Sequence, residues 1–212
     1  MNAIEVNNLT KRFKDAIVLN KVSVSFEQGK VHGLIGRNGS GKTMLMKCIC
    51  GIVPYKTGTV LVNGKQIGKD VDIPTNVGVI IETPGFIPNY SGFNNLKFLA
   101  KINNKVNSNE IRKAISSVGL DPNDKKHVGK YSLGMRQRLG LAQAIMEDPD
   151  LFILDEPMNG LDKDGVKDMR QYLLDLKAKG KTILIASHSA EDIDVLCDTV
   201  CEMDKGVLTV VR

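Results

Sequence analysis

Val31-His32-Gly33-Leu34-Ile35-Gly36-Arg37-Asn38-Gly39-Ser40-Gly41-Lys42-Thr43 decides the fold. A short apolar run stops at a glycine, and the loop that follows fits G-x4-G-K-[ST]. The motif needs a buried strand before it and a helix after it, and the flanking sequence supplies both. Phosphate oxygens need several donors aimed at one point. Glycines let backbone N–H groups turn inward without a Cβ clash, and a helix N-terminus adds a positive dipole. Gly36, Arg37, Asn38, Gly39, Ser40 and Gly41 are therefore expected to wrap a phosphate tail. Lys42 is expected to reach its outer phosphates. Thr43 is expected to offer its hydroxyl to Mg²⁺, a cation that prefers oxygen ligands.

On either side of this loop the sequence alternates strands and helices, the pattern of an α/β fold. Ala3 to Leu9 and Val22 to Phe26 alternate like half-buried strands, and Gln28-Gly29-Lys30 is a turn. A helix is expected from Gly41 to near Gly51. Thr59 to Val62, ending at Asn63-Gly64, and Val77 to Ile81 read as strands. From Pro84 to about Asp148 no strand-like run appears. Phe93 to Ile102, Asn109 to Val118 and Leu133 to Glu147 have helical spacing, which predicts an inserted helical lobe. Strands return at Leu151 to Leu154 and Thr182 to Ala186, around a helix from about Lys163 to Lys179. Thr199 to Met203 and Val207 to Val211 form a hairpin across Asp204-Lys205-Gly206.

Leu151-Phe152-Ile153-Leu154-Asp155-Glu156 is an apolar strand that ends in two carboxylates. Strand alternation sends neighbouring side chains to opposite sides, so the two acids are expected to do different work. Asp155 would hold Mg²⁺ through water. Glu156 would act as general base on the water that attacks the terminal phosphate, or polarise that water.

Composition sets the outer limits. The chain has 212 residues, 42% hydrophobic and 25% charged, with a formal net charge of +5. That is ordinary for one folded domain and too mildly basic to argue for nucleic acid. No apolar run nears the roughly 18 residues of a membrane span, and the first residues lack the basic head and apolar stretch of a secretory signal. A cytoplasmic location is expected. Cys48, Cys50, Cys197 and Cys201 read as buried or half-buried free thiols, because no second pair supports a zinc site. His32 and His127 read as structural or solvated.

Further motifs carry a family resemblance. Tyr131-Ser132-Leu133-Gly134-Met135-Arg136-Gln137 precedes Asp155 by 18 positions, counted from Gln137. It resembles the signature sequence of ABC transporter ATPases. Pro157-Met158-Asn159-Gly160-Leu161-Asp162 resembles their D-loop, and Ser187-His188 after a buried strand resembles their switch histidine. Phe13 stands where the family places an aromatic that stacks on adenine. The resemblance runs from Ile4 to about Gly206.

It implies one nucleotide-binding domain over residues 1–212 with a P-loop NTPase fold. This is a RecA-like core with a small antiparallel β subdomain (about 1–84 and 148–212) and an α-helical subdomain (about 85–147). It also implies ATP and Mg²⁺ as ligands and ATP hydrolysis as the activity. Two such domains, alike or different, would pair head to tail. Ser132, Gly134 and Gln137 would then join the ATP site, with the signature helix start aimed at the partner's ATP. His188 would position the attacking water.

The signature departs from the usual form at Leu133, Met135 and Arg136. A second departure is Glu82, in Ile80-Ile81-Glu82-Thr83-Pro84, where most members carry glutamine that touches Mg²⁺ and water. A carboxylate there repels the terminal phosphate yet is a stronger metal ligand, so sequence leaves the sign open. Ile-Glu-x-Pro-x-Phe with Ser-Leu-Gly-Met-Arg-Gln-Arg-Leu resembles the subgroup that protects bacteria against bacitracin and lantibiotic-type peptides.

Transport would need separate multi-span membrane subunits and would place the chain peripherally on the inner face of the membrane. Pro84, Phe86, Ile87, Pro88, Tyr90 and Phe93 are either lobe packing or a groove for a helix of such a subunit. The competing reading is a soluble ATPase of this fold acting on nucleic acid or the ribosome. DNA-repair relatives insert a long coiled coil, and translation-factor relatives carry two ATPase domains. Neither fits here, and 6 Phe and 4 Tyr with no Trp leave little for base stacking.

Overall fold

A computed structural model describes residues 1–14 and 16–212. A β-hairpin comes first, β1 (Asn2–Phe13) and β2 (Ala16–Glu27), followed by β3 (Val31–Ile35), the phosphate loop and α1 (Lys42–Ile49). Next come β4 (Thr57–Val62), β5 (Lys65–Gln66) and β6 (Val77–Ile80). The chain is then helical through α2 (Gly92–Asn103), α3 (Ser108–Ser117), a 3-10 turn at Val128–Lys130 and α4 (Leu133–Ile145). It returns with β7 (Leu151–Asp155), α5 (Lys163–Ala178), β8 (Thr182–Ala186), α6 (Ala190–Leu196), β9 (Thr199–Asp204) and β10 (Val207–Val210).

Two sheets result. One is antiparallel with order β2-β1-β4-β5; the other has order β10-β9-β3-β8-β7-β6. In the second, β9, β3, β8, β7 and β6 are parallel neighbours and β10 closes the edge antiparallel.

The inner parallel strands β3, β7 and β8 are buried on both faces, which is why they read as mainly apolar runs. Along β7, Leu151 and Ile153 join the cluster between the two sheets, and Phe152 and Leu154 join the cluster under the helices. Helix α1 lies in the first of these clusters, with Leu45, Met46, Cys48 and Ile49 fully buried. Its burial fixes the phosphate loop rigidly over the ends of β3 and β7. On the other side α4 comes close to the edge strand β6. A Cβ on Gly78 would sit 2.4 Å from the Ala144 carbonyl oxygen, so only glycine permits this approach.

Several sequence expectations shift at their edges. β1 and β2 run well past Leu9 and begin before Val22. Register shifts interrupt their pairing, and Asn8 and Lys21 adopt positive φ (both 49°), so bulges mask the alternation. The short helix α6 has no counterpart in the periodicity reading. At 7 residues it offers fewer than two full turns of pattern.

All four cysteines are free and buried. Burial pushes the Cys50 and Cys197 thiols up to about 12, and Cys48 to about 11. His32 is buried too. Its Nδ1 lies 2.7 Å from Thr199 Oγ1 and its Nε2 2.8 Å from the Glu27 carbonyl oxygen, and burial lowers its pKa. It is a structural histidine. Among the described residues no helix is long and apolar enough to cross a membrane.

Candidate functional site

A cavity of about 630 Å³ opens where the phosphate loop faces the C-terminal end of β7. Ligands of open parallel sheets bind at this end of the strands. Asn38, Gly39, Gly41, Lys42 and Thr43 line it from the loop side, and Asp155 and Glu156 from the strand side. The loop shape depends on glycine. Gly36, Gly39 and Gly41 have φ of 141°, 78° and 117°. A Cβ on Gly36 would lie 2.2 Å from the Met203 carbonyl oxygen. Gly36, Arg37 and Ser40 shape the loop from outside the cavity lining. Arg37 lines a neighbouring recess with His188, and the buried Ser40 hydroxyl has no hydrogen-bond partner among the described residues.

Lys42 is buried, and its ammonium donates to the carbonyls of Gly36 (2.6 Å) and Arg37 (3.2 Å). The cation therefore lies curled against its own loop. Thr43 Oγ1 donates to Asp155 Oδ2 at 2.6 Å, joining residues 112 positions apart. A hydroxyl and a carboxylate held together beside a phosphate loop are hard oxygen donors suited to Mg²⁺. The donor set fits that ion.

Glu156 departs from the strand geometry. Its φ is 51°, and its amide donates to the Ala186 carbonyl at 3.0 Å. The alternation rule therefore ends at Asp155. Both carboxylates line the same cavity, contrary to the opposite-sides expectation, because the chain turns left-handed at Glu156. Their separate roles are set by partners: Asp155 meets Thr43, while Glu156 Oε2 accepts from His188 Nδ1 at 2.7 Å. His188 is exposed at the end of β8.

The turn that carries His188 is held by hydrogen bonds of its neighbours. The Ser187 hydroxyl donates to the buried Asp192 carboxylate (3.0 Å) and accepts from the Ser189 amide (3.1 Å). Asp192 also takes Arg170 Nε at 2.7 Å. Hydrogen bonds from Glu191, then Asp192, raise the Arg170 pKa further above its already high value. Ser189-x-x-Asp192 is a helix-start pattern legible in the sequence, and it points to this turn.

The signature segment divides. Gln137 is buried, lines the cavity, and donates from Nε2 to the Glu156 carbonyl at 3.4 Å. Ser132 caps α4 by accepting from the Met135 amide at 3.1 Å, and Gly134 abuts Gly160, where a Cβ would meet the carbonyl at 2.9 Å. Neither lines this chain's cavity. Phe13 also lies outside it, half-exposed near the hairpin tip with Lys11 Nζ 4.8 Å from its ring centre; Val18 of β2 lines the cavity instead.

Glu82 lines the cavity and pairs with Lys47 (Nζ to Oε1, 2.6 Å). Sequence reasoning passed over Lys47, although it follows Thr43 by one helical turn on the same face. In the segment after Glu82, Ile87 and Tyr90 are exposed, whereas Phe86 and Phe93 pack partly into the helical cluster.

The family described as ABC transporter matches residues 19–159. An uncharacterized ABC transporter ATP-binding protein of Bacillus subtilis is 47% identical, covering 97% of this chain and 94% of its own length. A bacitracin transport ATP-binding protein of Enterococcus faecalis is 42% identical over 97% of this chain and 67% of its own. A lantibiotic transport ATP-binding protein of Streptococcus pyogenes is 36% identical over 93% and 85%. Among solved structures, a dimeric bacterial ABC transporter cassette superposes with a TM-score of 0.88 at 18% identity, covering 99% of both chains.

Proposed function

From the premise that the chain belongs to the ABC transporter family of ATP-binding proteins, we propose that it binds and hydrolyses ATP to power a transporter whose membrane-spanning part is separate. The observation that carries this is the convergence of Lys42, Thr43, Asp155, Glu156 and Gln137 on one cavity, with His188 hydrogen-bonded to Glu156 at its edge.

Loop amides and Lys42 bind the triphosphate, with the lysine exchanging its carbonyl partners for phosphate oxygens. Thr43 and Asp155 would hold Mg²⁺, which when bound neutralises charge on the phosphates. Glu156 accepts a proton from the attacking water, and His188 keeps its carboxylate and the water in line. Ser132 and Gly134 act in this reading only when a second ATPase domain is present. Phe13 is the aromatic that stacks on the adenine, and the start of α4 faces the partner's ATP. The N-terminus of a 13-residue helix capped by Ser132 suits an anion there.

The cargo in this reading is a peptide-type antibiotic or bacteriocin, exported or countered for self-protection. The relatives named for bacitracin and lantibiotic transport support it, and they favour it over a soluble ATPase acting on nucleic acid or the ribosome. The chain would sit on the inner face of the membrane, docked to its membrane subunits.

Ile87 and Tyr90 are exposed on the segment that leads from Glu82 into the helical lobe, 49% and 43% open. The double variant Ile87→Ser, Tyr90→Ser is expected to abolish co-purification with the membrane subunits while ATP binding and melting temperature stay unchanged. Intact assembly would move the docking face elsewhere.

A further inference from the structure

A free carboxylate beside a triphosphate site should repel its ligand, yet Glu82 lines the cavity that holds Lys42 and Thr43. Its carboxylate is met by Lys47, with Nζ 2.6 Å from Oε1, across 35 positions of sequence. Lys47 is the less exposed partner, its side chain 21% open against 63% for Glu82. It stands on α1 one turn beyond Thr43 and also lines the cavity. Lys42 is occupied by the Gly36 and Arg37 carbonyls, so it does not neutralise Glu82. Glu82 itself has φ of 61° and lies two residues past the end of β6, at the start of the linker into the helical lobe. One ion pair therefore ties the helix of the phosphate loop to that linker.

We propose that Lys47 is a positioning residue for nucleotide binding: it serves as the counter-ion that holds the Glu82 carboxylate at the cavity edge and cancels its repulsion of the triphosphate. This rests on the ATP-binding reading of the cavity. It predicts that the two side chains act as a unit. Without Lys47, Glu82 presents an unpaired negative charge to the incoming phosphates. Without both, the repulsion is gone again.

The test is a double-mutant cycle read by equilibrium binding of a fluorescent ATP analogue, with and without Mg²⁺, which needs no turnover. Lys47→Met is expected to weaken binding about tenfold, and more in the absence of Mg²⁺. Glu82→Gln is expected to change it less than about threefold, and Lys47→Met with Glu82→Gln to return within about threefold of the parent chain. Lys47→Arg keeps the cation and should bind like the parent. Melting temperatures monitor folding, and Lys47→Gln replaces the Met variant in the same cycle if that variant does not fold. A double variant as weak as the lysine variant alone, or a lysine variant that binds normally, overturns the proposal. A parent chain that binds no nucleotide instead overturns the ATP-binding reading itself, so the two failures are distinguishable.

Discussion

Glu156→Gln is expected to lower ATP hydrolysis about a thousandfold while ATP affinity stays within a few-fold of the parent chain. The amide has nearly the size of the carboxylate and can still accept from His188, which now lies 2.7 Å from Oε2. It cannot take a proton from water. Binding is expected to survive because the proposed reading assigns the phosphates and the ion to Lys42, Thr43 and Asp155, not to Glu156. Hydrolysis is read by phosphate release, and the oligomeric state by light scattering in ATP. With cleavage blocked, an ATP-bound dimer should accumulate. A loss of only a few-fold would mean that another group takes the proton.

Gly36→Ala carries the second large effect, and it falls on stability as well as binding. At φ of 141° any side chain is strained, and the added Cβ would lie 2.2 Å from the Met203 carbonyl oxygen of β9. That obstacle is backbone, so the loop or the strand must move. Strain and overpacking, each about 1–3 kcal/mol, together predict a loss of about 3 kcal/mol or more in urea unfolding. A displaced loop also predicts at least about tenfold weaker ATP binding. Gly39→Ala is the control. Its φ is also positive, 78°, but none of the described residues lies within 4 Å of the added Cβ, so its cost is the local strain alone, about 1–2 kcal/mol. Equal losses at the two positions would contradict the close packing of Gly36 on β9.

The contrast between these glycines shows what sequence can convey. Strand, loop and helix from Val31 to Ile49 were legible because the motif is local and its physics is local: apolar run, glycine turns, helix start. The inner parallel strands β3, β7 and β8 were legible because burial on both faces makes them mainly apolar. Glu156 was misjudged in its geometry, since the left-handed turn that ends β7 leaves no mark in a pattern of alternating residues. The bulged hairpin hid its own period for a related reason.

Long-range pairs were invisible. Nothing near Glu82 announces Lys47, and nothing near His188 announces Arg170 on α5, because both partnerships are made by the topology that brings distant elements together. The opposite case is Gln137. Its signature position is plain in the sequence, but only the fold places its amide on the Glu156 carbonyl.

The most direct test of the central claim is calorimetric titration of the chain with ATP, in the presence and absence of Mg²⁺. The claim is that Lys42, Thr43 and Asp155 form one pocket for a metal-bound triphosphate. It predicts saturable one-site binding that Mg²⁺ strengthens by at least about tenfold. Absence of binding, or an affinity indifferent to Mg²⁺, would contradict it.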